Sequence, residues 1–277
     1  MSTLTGTPTS HGIKTFAIGD GADMVSNPGG MTEVLGQINS LLGSYPGALA
    51  SASAVAVTPN ATHLLTGTTA VNTMTGGTTG CHVRLIASGQ SAGVCVVLNH
   101  ATGANNLSLR DSANLGIYAG ESVTFVFDGT KWVEAARNLK PVLDYQQITT
   151  PQNITATSEG TATTAVQGAT VTYDGATPVR IEVFSPGITQ GTTTIADCLY
   201  DASGGGAAAS IGWLMHGSYA AVTDRRPYAA VRRLTPSAAT HAYSWRLWVD
   251  AGTGVAHAGA GGSGNLPPAF LRITRDV

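Results

Sequence analysis

The stretch Val94–Arg137, VCVVLNHATGANNLSLRDSANLGIYAGESVTFVFDGTKWVEAAR, decides the fold class. Val94, Val96 and Leu98 recur at every second position, and so do Val123, Phe125 and Phe127. Successive side chains of an extended chain point to opposite sides, so this spacing collects the apolar set on one face of a pleated sheet. Asp128-Gly129 interrupts the pattern before Lys131-Trp132-Val133 resumes it. Asp-Gly between two such runs predicts a hairpin whose turn residues both adopt positive φ. The stretch reads as a compact antiparallel sheet with no obvious place for chemistry.

Composition extends that reading to the whole chain of 277 residues, which has room for two domains. Charged residues make up 11%, well below the roughly 25% of an average domain, and 35 glycines help to fill the gap. Many small turn residues suit a sheet protein and exclude a helical enzyme. Low charge also points to surface buried between subunits, which would protect sheet edges, although a large monomer with a polar, uncharged exterior would read similarly. The net charge of −2 comes with no basic tract, so nucleic acid is not an expected partner. No apolar run reaches signal-peptide or membrane-span length, so no membrane partner is expected, and the chain is expected to stay in the cytoplasm where it is made. Cys81, Cys95 and Cys198 match no zinc spacing and are expected as buried reduced thiols.

Residues 1–30 are polar and rich in turn formers, with Ile13, Phe16 and Ile18 as their apolar group. They read either as a free arm or as an attachment segment that orders on a partner. Met31–Leu42, MTEVLGQINSLL, is the one helix predicted. Met31, Val34, Ile38 and Leu41 take the spacing of a coiled-coil seam, Leu35 and Leu42 widen it, and Gly43 stops it. Twelve residues with Gly36 among them cannot stand alone in water. The stripe therefore packs on the chain's own sheet or forms a parallel clasp on a symmetry axis, and a dimer would satisfy it as well as a trimer.

Residues 31–47 are the helix and connector, 48–137 a β shaft domain, 138–152 a linker with two prolines, and 153–277 a second β domain. Strands of the second domain are predicted at 171–173, 179–184, 194–200, 211–216, 229–234, 242–250 and 270–274. Short, evenly spaced strands with Gly- and Ser-rich loops suggest a jelly-roll sandwich. The fold class expected is thus mainly β: a short N-terminal helix, an antiparallel β-sandwich domain, then a jelly-roll β-sandwich.

Two resemblances accompany these readings. LNHATGANNL followed by AGESVTFVFDGTKW resembles repeats in tail-fibre, tail-spike and other minor structural proteins of tailed bacteriophages; it covers Val94 to Arg137. It implies a trimeric virion component assembled in a host cytoplasm, with the N-terminal arm docked on other virion proteins. RIEVFSP, HAYSWRLWV and PPAFLRIT resemble, in strand order and character, the trimeric jelly rolls of the complement and tumour-necrosis-factor type; they cover Asn153 to Val277.

Chemistry-bearing patterns are few. Gly89-Gln90-Ser91-Ala92-Gly93 matches G-x-S-x-G, but a nucleophile elbow needs a helix after the serine and VCVVLN is a strand, so a hairpin loop is expected there. The seven histidines show no ligand spacing, and no carboxylate pair nominates a glycosidase. No catalytic residue, metal site or cofactor is expected. One cluster suggests binding: Trp213, Tyr219, Arg225, Arg226 and Tyr228, centred on an exposed loop at 217–228. Aromatic faces suit sugar rings and arginine forks suit acidic groups, so a bacterial surface glycan is the expected ligand. Trp245 and Trp248 are expected to fill core or intersubunit space. The sum is a non-enzymatic tail-fibre or receptor-binding adhesin; a head fibre or decoration protein is the alternative, and a glycan depolymerase the outsider.

Overall fold

The computed structural model describes residues 47–218 and 223–276, together with the pairs 7–8 and 14–15. β1 (Thr7–Pro8) and β2 (Lys14–Thr15) pair antiparallel within the N-terminal unit, residues 1–45. The helix predicted at Met31–Leu42 and the rest of the arm lie outside the described residues. Residues 46–277 form one compact unit. Its class is mainly β, since its only helices among the described residues are 3₁₀ turns at Glu159–Thr161 and Ser203–Gly205.

The first block contains β3 (Ala48–Ala50), β4 (Ala54–Ala56), β5 (Ala61–Thr66), β6 (Thr73–Thr75), β7 (His82–Ala87) and β8 (Cys95–Leu98). β9 (Leu107–Ser108), β10 (Leu115–Tyr118), β11 (Ser122–Phe127) and β12 (Trp132–Asn138) complete it. An all-antiparallel sheet is not what forms. β3, β5 and β7 lie parallel in one sheet, β4 and β6 pair parallel in another, and Val71 bridges parallel to Leu98. The chain winds back and forth between two faces, and turns antiparallel at β7–β11–β12, at β8–β10 and at the single Thr73–Asn106 bridge. Period-two alternation reports which face a residue occupies; it carries no information on the direction of the neighbouring strand. The same winding corrects the G-x-S-x-G reading. β7 and β8 do not pair, so Gly89–Gly93 is a crossover between sheets and not a hairpin loop.

Between the two faces, Leu65, Val83, Leu85, Val96, Leu98, Val123, Phe125 and Trp132 form the core. Trp132 donates its indole N–H to the Met74 carbonyl at 2.8 Å. Gly77 approaches so closely that a Cβ there would lie 2.7 Å from Trp132 and 2.8 Å from Phe127. The predicted β11–β12 hairpin is present, with a loop of four residues in which Gly129 takes the positive φ of 103° and Asp128 does not. The Asp128 carboxylate instead accepts the N–H groups of Thr130 and Lys131, each at 2.8 Å, which holds the turn from its side chain.

The second block runs through β13 (Val142–Ile148), β14 (Gln152–Ile154), β15 (Thr163–Gln167), β16 (Val171–Thr172), β17 (Val179–Thr189) and β18 (Ile195–Asp201). It continues with β19 (Ala209–Gly217), β20 (Arg226–Leu234), β21 (Thr240–His241), β22 (Tyr243–Val249), β23 (Gly254–His257) and β24 (Ala269–Arg275). One sheet has the order β13-β24-β17-β23-β14, with β20 along the other side of β17; the second has the order β15-β22-β18-β19. Ile181, Val183, Leu199, Trp245, Leu247 and Ile273 are among the side chains buried between them. Segment 138–152 is not a free linker, because Val142–Ile148 pairs along the closing strand β24. Pro141 hides this in the sequence, yet it precedes the strand, where a missing N–H removes no ladder bond.

The two blocks are welded together. Thr172 N–H donates to the Gly93 carbonyl at 2.6 Å, and the Tyr118 hydroxyl donates to the Thr172 carbonyl at 2.6 Å. A Cβ at Gly93, whose φ is +74°, would stand 2.4 Å from the Thr170 carbonyl oxygen, so this approach needs glycine. Asp174 accepts the Gly116 N–H at 2.6 Å, while Arg275 reaches from β24 to Glu121. The three cysteines are free and buried, and burial pushes the Cys95 thiol up to about 12.

Candidate functional site

Of the five residues singled out by sequence, Trp213, Arg225, Arg226 and Tyr228 are among the described residues, and Trp213 and Tyr228 face different sides of the second block. Tyr228 points inward: its ring stacks on Trp245 at 5.9 Å and its hydroxyl donates to Asp197 at 3.0 Å. Arg225 lies along Gly187 of β17, where an added Cβ would meet its Cγ at 2.3 Å; burial first, and then the Arg225 charge, lower the His257 pKa. Arg226 pairs with Asp224 at 3.4 Å. Tyr219 lies outside the described residues. Trp213 stands apart on the outer face of the four-stranded sheet.

That outer face has its own construction. β18 is buried on both sides, because the segment around Ala156–Ala162 covers Ala196, Cys198, Tyr200 and Trp248. Trp245 and Trp248 are three residues apart in one strand and so face opposite ways. Trp245 fills the sandwich, and Trp248 supports the outer face. Trp213 packs edge-on against Trp248 and His216, each ring 5.4 Å away, and remains 53% exposed. Its indole N–H donates to Glu159 at 2.6 Å, while the Ser210 hydroxyl donates to the other carboxylate oxygen. These two bonds, Ser210 first, hold the Glu159 carboxyl below its usual range. Arg246 lies over the Tyr200 ring at 4.2 Å. The result is an exposed indole face, held rigid, beside a charged carboxylate and hydroxyls. It can stack on an apolar ring face and hydrogen-bond the polar rim of the same molecule.

Glu159, Ser210 and His216 were not legible as partners of Trp213. Glu159 lies 54 residues from it and reaches it only because the 3₁₀ turn folds over β18 and β19.

The opposite outer face, on the sheet containing β13, β24, β17 and β20, carries a second aromatic row. Tyr145, Phe270 and Phe184 follow one another across adjacent strands at 5.5 and 5.3 Å. Val142, Tyr145 and Val231 on this sheet are exposed. A cleft of about 270 Å³ lies between the blocks, lined by Asp111, Asn114, Arg137, Thr177 and Asp276 among others. Its charges are already matched: Arg137 pairs with Asp111 at 2.8 Å and with Glu134 at 2.7 Å, and Asp276 pairs with Arg233 at 3.0 Å.

No protein-family model matches the chain, and none of the curated proteins matches it.

Proposed function

We propose that the chain is a tailed-phage virion protein, a homotrimeric fibre that attaches to a bacterial surface glycan through the Trp213 face. The observation that carries this reading is the half-exposed indole locked against Trp248, His216 and Glu159. A solvated tryptophan normally costs hydrophobic burial, and a rigid one beside an ionised carboxylate suits a sugar ring with hydroxyls on its edge. The strand order β13-β24-β17-β20 against β15-β22-β18-β19 supports a jelly roll, in which strands from successive hairpins alternate between sheets. Self-association accounts for the Tyr145–Phe270–Phe184 row, a contiguous apolar strip on a sheet face. Three copies would present three identical platforms, raising avidity about 10²–10⁴-fold without new contacts. In this reading residues 1–30 dock the fibre on the virion.

Adsorption of purified protein to intact bacteria, compared between the natural chain and Trp213→Ala, tests the site. Equal adsorption by a folded Trp213→Ala protein would remove the Trp213 face from the reading.

A further inference from the structure

At one end of the sandwich three side chains stand in line. The Ser237 hydroxyl is 3.1 Å from His241 Nε2, and His241 Nδ1 is 2.7 Å from Asp201 Oδ2. Asp201 closes β18, and His241 sits just before β22. Residues 202 and 242 exchange backbone hydrogen bonds at 3.1 and 3.3 Å, which places the carboxylate beside the imidazole. His241 is 4% exposed and held between the Tyr173 edge at 5.5 Å and the Tyr243 ring at 5.7 Å. Its orientation is therefore fixed. Ser237 is exposed on the loop 235–239, between buried Pro236 and the small neighbours Ala238 and Ala239.

We infer that Ser237, His241 and Asp201 form a nucleophile–base–carboxylate relay that hydrolyses small acyl esters such as an acetylated hydroxyl. Three properties support it beyond the two distances. The nucleophile is exposed while the base and its orienting carboxylate are not, which is the distribution such chemistry needs. His241 Nε2 also lies 3.1 Å from the Ser237 carbonyl oxygen, an acceptor ready for the imidazolium. The absence of bulky side chains on the loop suits an acyl group of acetyl size presented on a larger alcohol.

In the reaction, Ser237 Oγ attacks the ester carbonyl carbon as its proton passes to His241 Nε2. The tetrahedral adduct collapses, the C–O bond to the alcohol breaks, and the departing oxygen takes the proton back from Nε2. Water then attacks the acetyl-serine ester, giving its proton to Nε2, and acetate leaves with the hydroxyl restored. Asp201 acts as a positioning residue by holding Nδ1–H. This inference is independent of glycan binding at Trp213.

The test is covalent labelling of the full chain with a fluorophosphonate probe, read by intact mass and peptide mapping, alongside hydrolysis of 4-nitrophenyl acetate. The expected result is one adduct per chain at Ser237, with labelling and hydrolysis lost in Ser237→Ala at unchanged melting temperature. Asp201→Asn should slow labelling about 10²–10⁴-fold and alter its pH profile, which a purely structural contact would leave alone. The inference is overturned by a folded chain that takes up no probe. It is equally overturned by labelling that persists in Ser237→Ala, or by a Ser237→Ala protein that loses only stability.

Discussion

Arg275 and Glu121 lie 154 residues apart in sequence and meet at 2.7 Å, with side chains 1% and 0% exposed. The pair is held on both sides. Arg275 also donates to the Gly116 carbonyl at 3.0 Å, and Glu121 accepts the N–H groups of Tyr118 at 3.0 Å and Lys140 at 2.8 Å. One ion pair thus joins the closing strand of the second block to a turn of the first.

Removing Arg275 leaves a buried carboxylate without its counter-charge. Arg275→Met should lower stability by about 3–5 kcal/mol, and adding Glu121→Gln should restore part of it, since the buried charge is gone and the amide oxygen still accepts one of the two backbone N–H groups. Urea unfolding is the check, with Trp132 reporting on the first block and Trp245 on the second. A single coincident transition in the natural chain should separate into two in Arg275→Met.

Asp197 lies between the sheets, accepting the Trp245 indole N–H at 2.6 Å and the Tyr228 hydroxyl. Burial raises its pKa from 3.8 to about 6 against the opposing pull of those bonds. The folded state therefore holds the proton more tightly than the unfolded chain. The stabilisation is complete below about 4 and is lost as pH rises through about 6, on the order of 3 kcal/mol in all. Asp197→Asn should flatten this fall, so that its melting temperature exceeds that of the natural chain at pH 8 and matches it near pH 4.

The split of the aromatic cluster predicts opposite outcomes for its members. Trp213→Ala should reduce adsorption to bacteria by about tenfold or more while lowering stability by about 1–3 kcal/mol, the share of its ring contacts and its bond to Glu159. Arg226→Ala, away from Trp213 beside Asp224, should leave adsorption unchanged. Cell-binding assays on both variants, with thermal melts as the fold control, decide the matter.

Self-association through the second aromatic row has its own readout. Light scattering should give a solution mass near three times the chain's 28.1 kDa. Phe184→Asp should lower it to that of one chain, because a charge on this strip is stranded once another copy covers it. An unchanged mass in Phe184→Asp places the interface elsewhere.

Much of this molecule was legible in its residues. Val123, Phe125 and Phe127 face the core as alternation requires, and each strand predicted in the second block overlaps an observed one. Alternation also carried an unread signal, since Trp245 and Trp248 at odd spacing had to face opposite ways. The strand at Val142–Ile148 stayed hidden because its burial alternates imperfectly across a register shift and a proline precedes it. Parallel winding of the first block was invisible because its strands are only three to six residues long and recur at no constant interval.

The sequence by itself determined the β class, the core faces and the main turns, because these follow from local spacing and from what glycine, proline and Asp can do within a few residues. Only the tertiary structure decided which strands lie parallel, how the blocks are joined, and which side chains share a surface. Trp213 with Glu159, Ser237–His241 with Asp201, and Glu121 with Arg275 each require contacts between residues 40 or more positions apart. Such contacts arise from how sheets stack and how loops fold over them, and no local pattern encodes that.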